Sequence, residues 1–199
     1  MSAALETPVE LRVYLPIPDL APQFAAYLGT PTRARGYPPM EGDHALIVEV
    51  APALAIERII DLALKGVPEV EPGIHYVERA GEAILAGIGA TAQDTLRPRV
   101  LYVGVIDDIT DQHAVILNRV REASMVLPRQ TLLVVEVAPA LFAAVAANVA
   151  ERVAPELTLV SVSMIGAAGR VYLAGQTSDI VRAREEIVRV LEAVTGRDQ

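Results

Sequence analysis

The chain has no cysteine and no tryptophan, and aromatic residues make up only 4% of its 199 positions. Without cysteine there is no disulfide framework and no thiolate chemistry, which is compatible with a reducing compartment. Without large aromatics the core must be built from Ala, Val, Ile and Leu, which favours flat surfaces that approach closely. A core of small residues commonly gains further burial by self-association. Positive charge is also in deficit: 17 Lys and Arg against 25 Asp and Glu give a net charge of −8. That balance argues against nucleic acid or an anionic membrane as partner. There is no run of 18 apolar residues, and MSAALETPVE lacks the basic-then-apolar order of a signal peptide, so the expectation is a soluble, intracellular protein.

What is present is a repeat. The heptapeptide VEVAPAL occurs at Val48–Leu54 and again at Val135–Leu141, an offset of 87. Pro68–Glu69 matches Pro155–Glu156 at the same offset, and LAG at Leu85–Gly87 matches Leu173–Gly175 at 88. Upstream, Asp19 and Gln23 match Asp108 and Gln112 at 89. The slips fall where loops are expected, since insertions are cheap there. Two copies of one module follow, about 9–98 and 99–197. Each module of a pseudo-symmetric object tends to place function on the symmetry axis or at interfaces.

Within a copy the pattern is α+β. LIVEV and LLVVEV are β-branched runs that predict buried strands, and LRVYLPI and VLYVGVI predict a leading strand in each copy. Pro52 and Pro139 then fit the first turn of a helix. Ile56, Ile59, Ile60, Ala63 and Leu64 in one copy, and Phe142, Val145, Ala146, Val149 and Ala150 in the other, recur at helical spacing and predict one apolar face each. A strand is expected around Gly73–Glu78 and Leu157–Ser163, then a glycine-bearing hairpin and a strand ending in LAG. A second helix follows, long in copy two (about Ser178–Val194) and cut short by Pro98 in copy one. The sum per copy is an antiparallel sheet with helices on one face.

No catalytic constellation emerges. His44, His75 and His113 are isolated and give no metal-ligand spacing, so no metal and no cofactor is expected. There is no GxSxG. Gly87–Ala92 reads GxGxxA with Asp107 some 20 residues after Gly87, imitating a dinucleotide fingerprint. It lacks parallel βαβ alternation on either side, and its repeat counterpart carries no second glycine. Asp107 and Asp108 fit an acidic strand end or turn.

Several stretches together resemble a known family: PDLAPQFAAYL (Pro18–Leu28), VEVAPALAIERIIDLALK (Val48–Lys65), VERA (Val77–Ala80), LNRVREASMVLP (Leu117–Pro128) and GAAGRVYLAG (Gly166–Gly175). In this order they are similar to the bacterial microcompartment (BMC) shell domain, circularly permuted and in tandem, of the type whose carboxysomal member forms a gated trimer. The resemblance implies a homotrimer with six modules around a central pore. It implies tiling with other BMC shell proteins, hexamers and pentamers, in a microcompartment of the bacterial cytoplasm, and in this subgroup two trimers can stack face to face. It assigns the gate to Glu78 and Arg79, with Ala80, Gly81 and Glu82 beside them, and brings Ile165, Gly166, Ala167, Ala168 and Gly169 near the axis. On these terms the protein is no enzyme, and small metabolites pass its pore. In an extended backbone Glu78 and Arg79 would point opposite ways, so a twist could exchange them. Relatives carry an aromatic after VERA, where this chain has Gly81 and Glu82. Lys65 and its counterpart Arg152 stand at the inter-tile edge. The plain reading of Glu78 and Arg79 is a surface ion pair, and that of Lys65 is a helix C-terminal cation. A competing class is a trimeric ferredoxin-like sensor, in which the GAAGR loop would cradle an anion.

Overall fold

The computed structural model describes residues 8–29, 39–67, 74–120 and 123–198. They form two compact units: residues 8–16, 44–67, 74–97 and 195–198, and residues 17–29, 39–43, 98–120 and 123–194. The packing boundary therefore differs from the boundary of the sequence repeat, because residues 17–29 and 39–43 of copy one fold with copy two.

In the second unit β3 (Arg99–Ile106), β4 (Thr131–Ala138), β5 (Thr158–Ser163) and β6 (Gly169–Gly175) make one sheet in the order β3-β4-β6-β5. All neighbours run antiparallel, with Val135 opposite Val103 on one side and Val171 on the other. Period-2 alternation sends Leu133, Val135 and Val137 of β4 to one face, all at 0% exposure. Two helices, α5 (Ala143–Val153) and α6 (Thr177–Ala193), pack against each other in this unit and against its strands. The opposite face carries Leu132, Val160 and Ala174, and these bury Ile109 and Ala114, the latter on α4 (Asp111–Val120). Helix α1 (Pro22–Gly29) completes the unit, with Pro22 at its first position, where a missing N–H is harmless.

In the first unit β1 (Glu10–Ile17) pairs with β2 (Ala45–Ala51), and α2 (Ile56–Gly66) lies against α3 (Ile74–Ile88). Leu11, Val50, Ile59 and Ile84 form its buried centre. The strand ends, 3-10 turns and helices of the two VEVAPAL corners keep the offset of 87: a turn at Ala53–Ala55 precedes α2, and one at Ala140–Phe142 precedes α5. Pro52 and Pro139 sit just before these turns, in extended backbone, one step ahead of the position the sequence predicts.

Copy one departs from expectation after α2. Residues 74–88 are one helix, so the strand expected to Glu78 and the strand ending in LAG at Leu85–Gly87 are absent there. The composition explains it: Glu78, Arg79, Ala80, Glu82, Ala83, Leu85 and Ala86 are strong helix formers. The counterpart in copy two is rich in Ser, Val and Gly and forms the β5–β6 hairpin. The helix expected before Pro98 is one 3-10 turn, Ala92–Asp94. The Pro68–Glu69 match and Gly73 lie outside the described residues. The apolar arc of α2 is also split. Ile59 is buried, but Ile56, Ile60 and Leu64 are 36%, 49% and 58% exposed.

Candidate functional site

The residues singled out from the sequence fall into three places. Glu78, Arg79, Ala80, Gly81 and Glu82 lie on α3 of the first unit. Ala80 and Gly81 face inward, and Glu78, Arg79 and Glu82 are exposed. A Cβ on Gly81 would run into the Tyr14 hydroxyl. Tyr14 in turn has its pKa raised, first by burial and then by the charge of Glu82. The opposite end of the contact is fixed by Gly66, where a Cβ would sit 2.5 Å from the Ala83 Cβ and 2.9 Å from the Arg79 carbonyl oxygen. The helix is thus held close to α2 and β1, with its charged face outward. On a helix successive side chains diverge by about 100°, so Glu78 and Arg79 do not alternate as they would in a strand. Glu78 and Glu82, four apart, share a face. An exchange of Glu78 for Arg79 by twisting an extended segment is therefore not available in this conformation.

Ile165–Gly169 forms the turn between β5 and β6 in the second unit. Ile165 is 91% exposed, and Gly166 has φ +101°, a conformation that favours glycine. Ala167 is exposed, Ala168 half-buried, and Gly169 buried at the start of β6. The glycine at 169 has a local cause: a Cβ there would collide with the Ala140 carbonyl oxygen and lie 2.8 Å from the Ala143 Cβ. Beside the loop, Arg170 pairs with Glu136 at 2.8 Å, and the guanidinium pKa is raised by that hydrogen bond.

Lys65 and Arg152 close the last turns of α2 and α5. Lys65 pairs with Asp61 at 2.6 Å, four residues back. Arg152 pairs with Asp19 at 2.9 Å and donates to the Pro18 carbonyl oxygen at 3.5 Å, so its head is engaged by the segment leading into α1.

That segment exposes what sequence reasoning missed. Asn148 and Glu151 are buried on α5, at 4% and 3% exposure. Asn148 Oδ1 accepts the Ala21 N–H at 2.7 Å, and Glu151 accepts the N–H groups of Gln23 and Phe24 at 2.7 and 3.1 Å. These are first-turn donors that no residue of α1 itself satisfies. The Gln23 amide joins the outer edge of β5, donating to the Leu157 oxygen at 2.6 Å and accepting from the Leu159 N–H at 2.8 Å. Tyr27 donates its hydroxyl to the Val162 oxygen at 2.6 Å. In the sequence Asn148 and Glu151 look like ordinary polar positions of an amphipathic helix, and only their long-range partners reveal the role.

The GxGxxA string lies at the end of a helix. Gly87 packs against Leu62, and Gly89 terminates α3 with φ +70°. The strand-turn-helix context of a dinucleotide site is not formed there. Asp107 instead accepts from the Thr131 hydroxyl at 3.1 Å. Among the described residues no group of three or more His, Asp or Glu is arranged to hold a metal ion.

Residues 11–81 match the CsoS1D N-terminal domain. The chain is 36% identical over 207 aligned residues to the carboxysome shell protein CcmP of Synechococcus elongatus, covering 96% of this chain and 95% of the relative. It is 34% identical to the carboxysome shell protein CsoS1D of Hydrogenovibrio crunogenus, over 95% and 99% of the two. Among solved structures, the double ringed trimeric shell protein MSM0271 from the RMM microcompartment superimposes with a TM-score of 0.89 at 59% identity, over 96% of this chain and all of that one (100%). The fused permuted hexameric shell protein MSM0275 from the same microcompartment gives 0.84 at 37% identity, over 94% and 100%. Fold and relatives together define a class, the structural shell proteins with two permuted BMC domains in an α+β arrangement. The chain belongs to the BMC-T family of that class, and its place is the shell of a bacterial microcompartment in the cytoplasm.

Proposed function

We propose that three copies close into a pseudohexagonal ring around a pore, that rings stack in pairs, and that they tile the shell beside hexamers and pentamers. The observation that carries this is the 59% identity, over 96% of the chain, to a double ringed trimeric shell protein. That figure exceeds the 36% and 34% shared with the two carboxysome proteins, which favours a shell of the RMM type. The relatives are named as shell proteins, so the chain is read as carrying no catalysis of its own.

The pore is assigned to the exposed charges of α3 and to the turn at Ile165–Gly169. With three copies, six carboxylates from Glu78 and Glu82 and three Arg79 guanidiniums would crowd one opening. Three guanidiniums among six carboxylates can pair in more than one way at the same net charge, which is the requirement for a two-state gate passing small polar metabolites. The test is the variant Glu78→Ala/Arg79→Ala, imaged as particles. Trimers should persist and the closed constriction should disappear. A closed constriction of unchanged diameter would move the gate to other residues.

A further inference from the structure

Around the first helix of each module the local geometry is matched far more closely than the surroundings. Asp19 and Asp108 both take left-handed backbone, with φ 57° and 50°. The Leu20 N–H donates to the Asp43 oxygen at 2.8 Å, as the Ile109 N–H does to Gln130 at 3.1 Å. The Gly42 N–H donates to Leu20 at 2.9 Å, as the Arg129 N–H does to Ile109, also at 2.9 Å. The Asp43 carboxylate accepts the Met40 N–H and the Gln130 side chain accepts the Leu127 N–H, both at 2.8 Å. Helix α4 is therefore the structural counterpart of α1, and α2 that of α5.

Their environments differ. The outer face of α5 has a cover, because α1 lies on Asn148 and Glu151. The positions of α2 in register with Ala143, Ala147 and Glu151 are Ile56, Ile60 and Leu64. The α5 residues are 0%, 0% and 3% exposed, and those of α2 are large, apolar and open. Helix α4 in turn leaves Val115 and Ile116 at 54% and 60% exposure, and Ile116 stands where Tyr27 reaches the β5 edge.

We infer that α4 of one copy lies on α2 of the next, as α1 lies on α5 within one chain, and that this contact closes the ring. It rests on the proposed trimer and names its interface. The substitutions between the modules fit. Where α1 begins with Ala21 and needs the Glu151 carboxylate, α4 has Thr110, whose hydroxyl accepts the His113 N–H at 3.3 Å. With its own cap, α4 needs no acceptor from its partner, and the Glu151 position can become Leu64. Charge also keeps its sign: Asp19 with Arg152 becomes Asp108 with Lys65 across copies, each also paired within its own chain, Asp108 with Arg129 at 3.1 Å and Lys65 with Asp61 at 2.6 Å. Asp61 takes the place of Asn148 as the acceptor facing Thr110. Lys65, on this assignment, belongs to the contact around the ring.

The absence of cysteine from the chain makes the test clean. The full-length variant Leu64→Cys/Gln112→Cys, treated with a short bismaleimide, should give denatured bands of two and three linked chains. Either single variant should give no trimer band. Trimers by light scattering without inter-chain links would overturn the interface and leave the trimer standing. A monomer in wild-type protein would overturn both. In a second arm, Asp108→Asn and Lys65→Met should each raise the dissociation midpoint, and the double variant should raise it by less than the product of the two single effects. A fully multiplicative effect counts against the pairing.

Discussion

The carboxylate of Glu151 caps a helix to which it does not belong, accepting the Gln23 N–H at 2.7 Å across 128 residues of chain. Helix N-termini carry partial positive charge and unpaired donors, and a buried carboxylate answers both. Glu151→Ala removes the acceptor and leaves two donors in a dry site, costing about 2–3 kcal/mol. The expected result is faster hydrogen exchange at Gln23 and Phe24, by about 50-fold. Unchanged exchange there would show that α1 holds its place without Glu151.

Gly169→Ala should destabilise the second unit by about 3 kcal/mol, because the new methyl meets backbone at Ala140 and cannot be relieved by a rotamer change. Gly166→Ala has open space around it and should cost about 1 kcal/mol through its positive φ alone. Urea unfolding of the two variants separates them. Equal effects would refute the steric account of Gly169.

Asp94 gives a pH signature. Hydrogen bonds from the Thr91 N–H at 2.7 Å and the Thr91 hydroxyl at 2.9 Å lower its pKa, with Arg197 adding a smaller pull. A lowered folded pKa means that the unfolded chain binds the proton more readily. The stabilisation is therefore present above the ordinary Asp value of about 3.9 and fades as pH falls through the folded value. The melting temperature of wild type should exceed that of Asp94→Ala at neutral pH, with the gap closing in acid. A gap independent of pH would assign the effect to packing.

Much of this was legible from the residues. The repeated heptapeptide located both strand-to-helix corners, and the offset of 87 held through α2 and α5. The leading strands and α6 also lie where their patterns place them. At 74–88 local propensity overrides the LAG match, because VERAGEAILAG is a helix-forming string. The resemblance proposes Glu78 and Arg79 as gate residues on an extended backbone, and that backbone is helical. The α1 cover over α5 was not legible, since Asn148 and Glu151 read as ordinary polar members of an amphipathic helix until their long-range partners are known. Period alone also could not say that α2 has two apolar faces, one inward at Ile59 and one outward at Ile60.

The lodging of Gly169 against Ala140 ties the loop that differs between the modules to the corner that does not. In copy two the heptapeptide backbone is constrained from the loop side, since any bulk gained at residue 169 would press on the Ala140 carbonyl oxygen. In copy one the corresponding Ala53 is exposed. That exposure leaves the first module freer to rebuild the segment after α2 without disturbing its corner, whereas in the second a larger residue at 169 must move the corner with it.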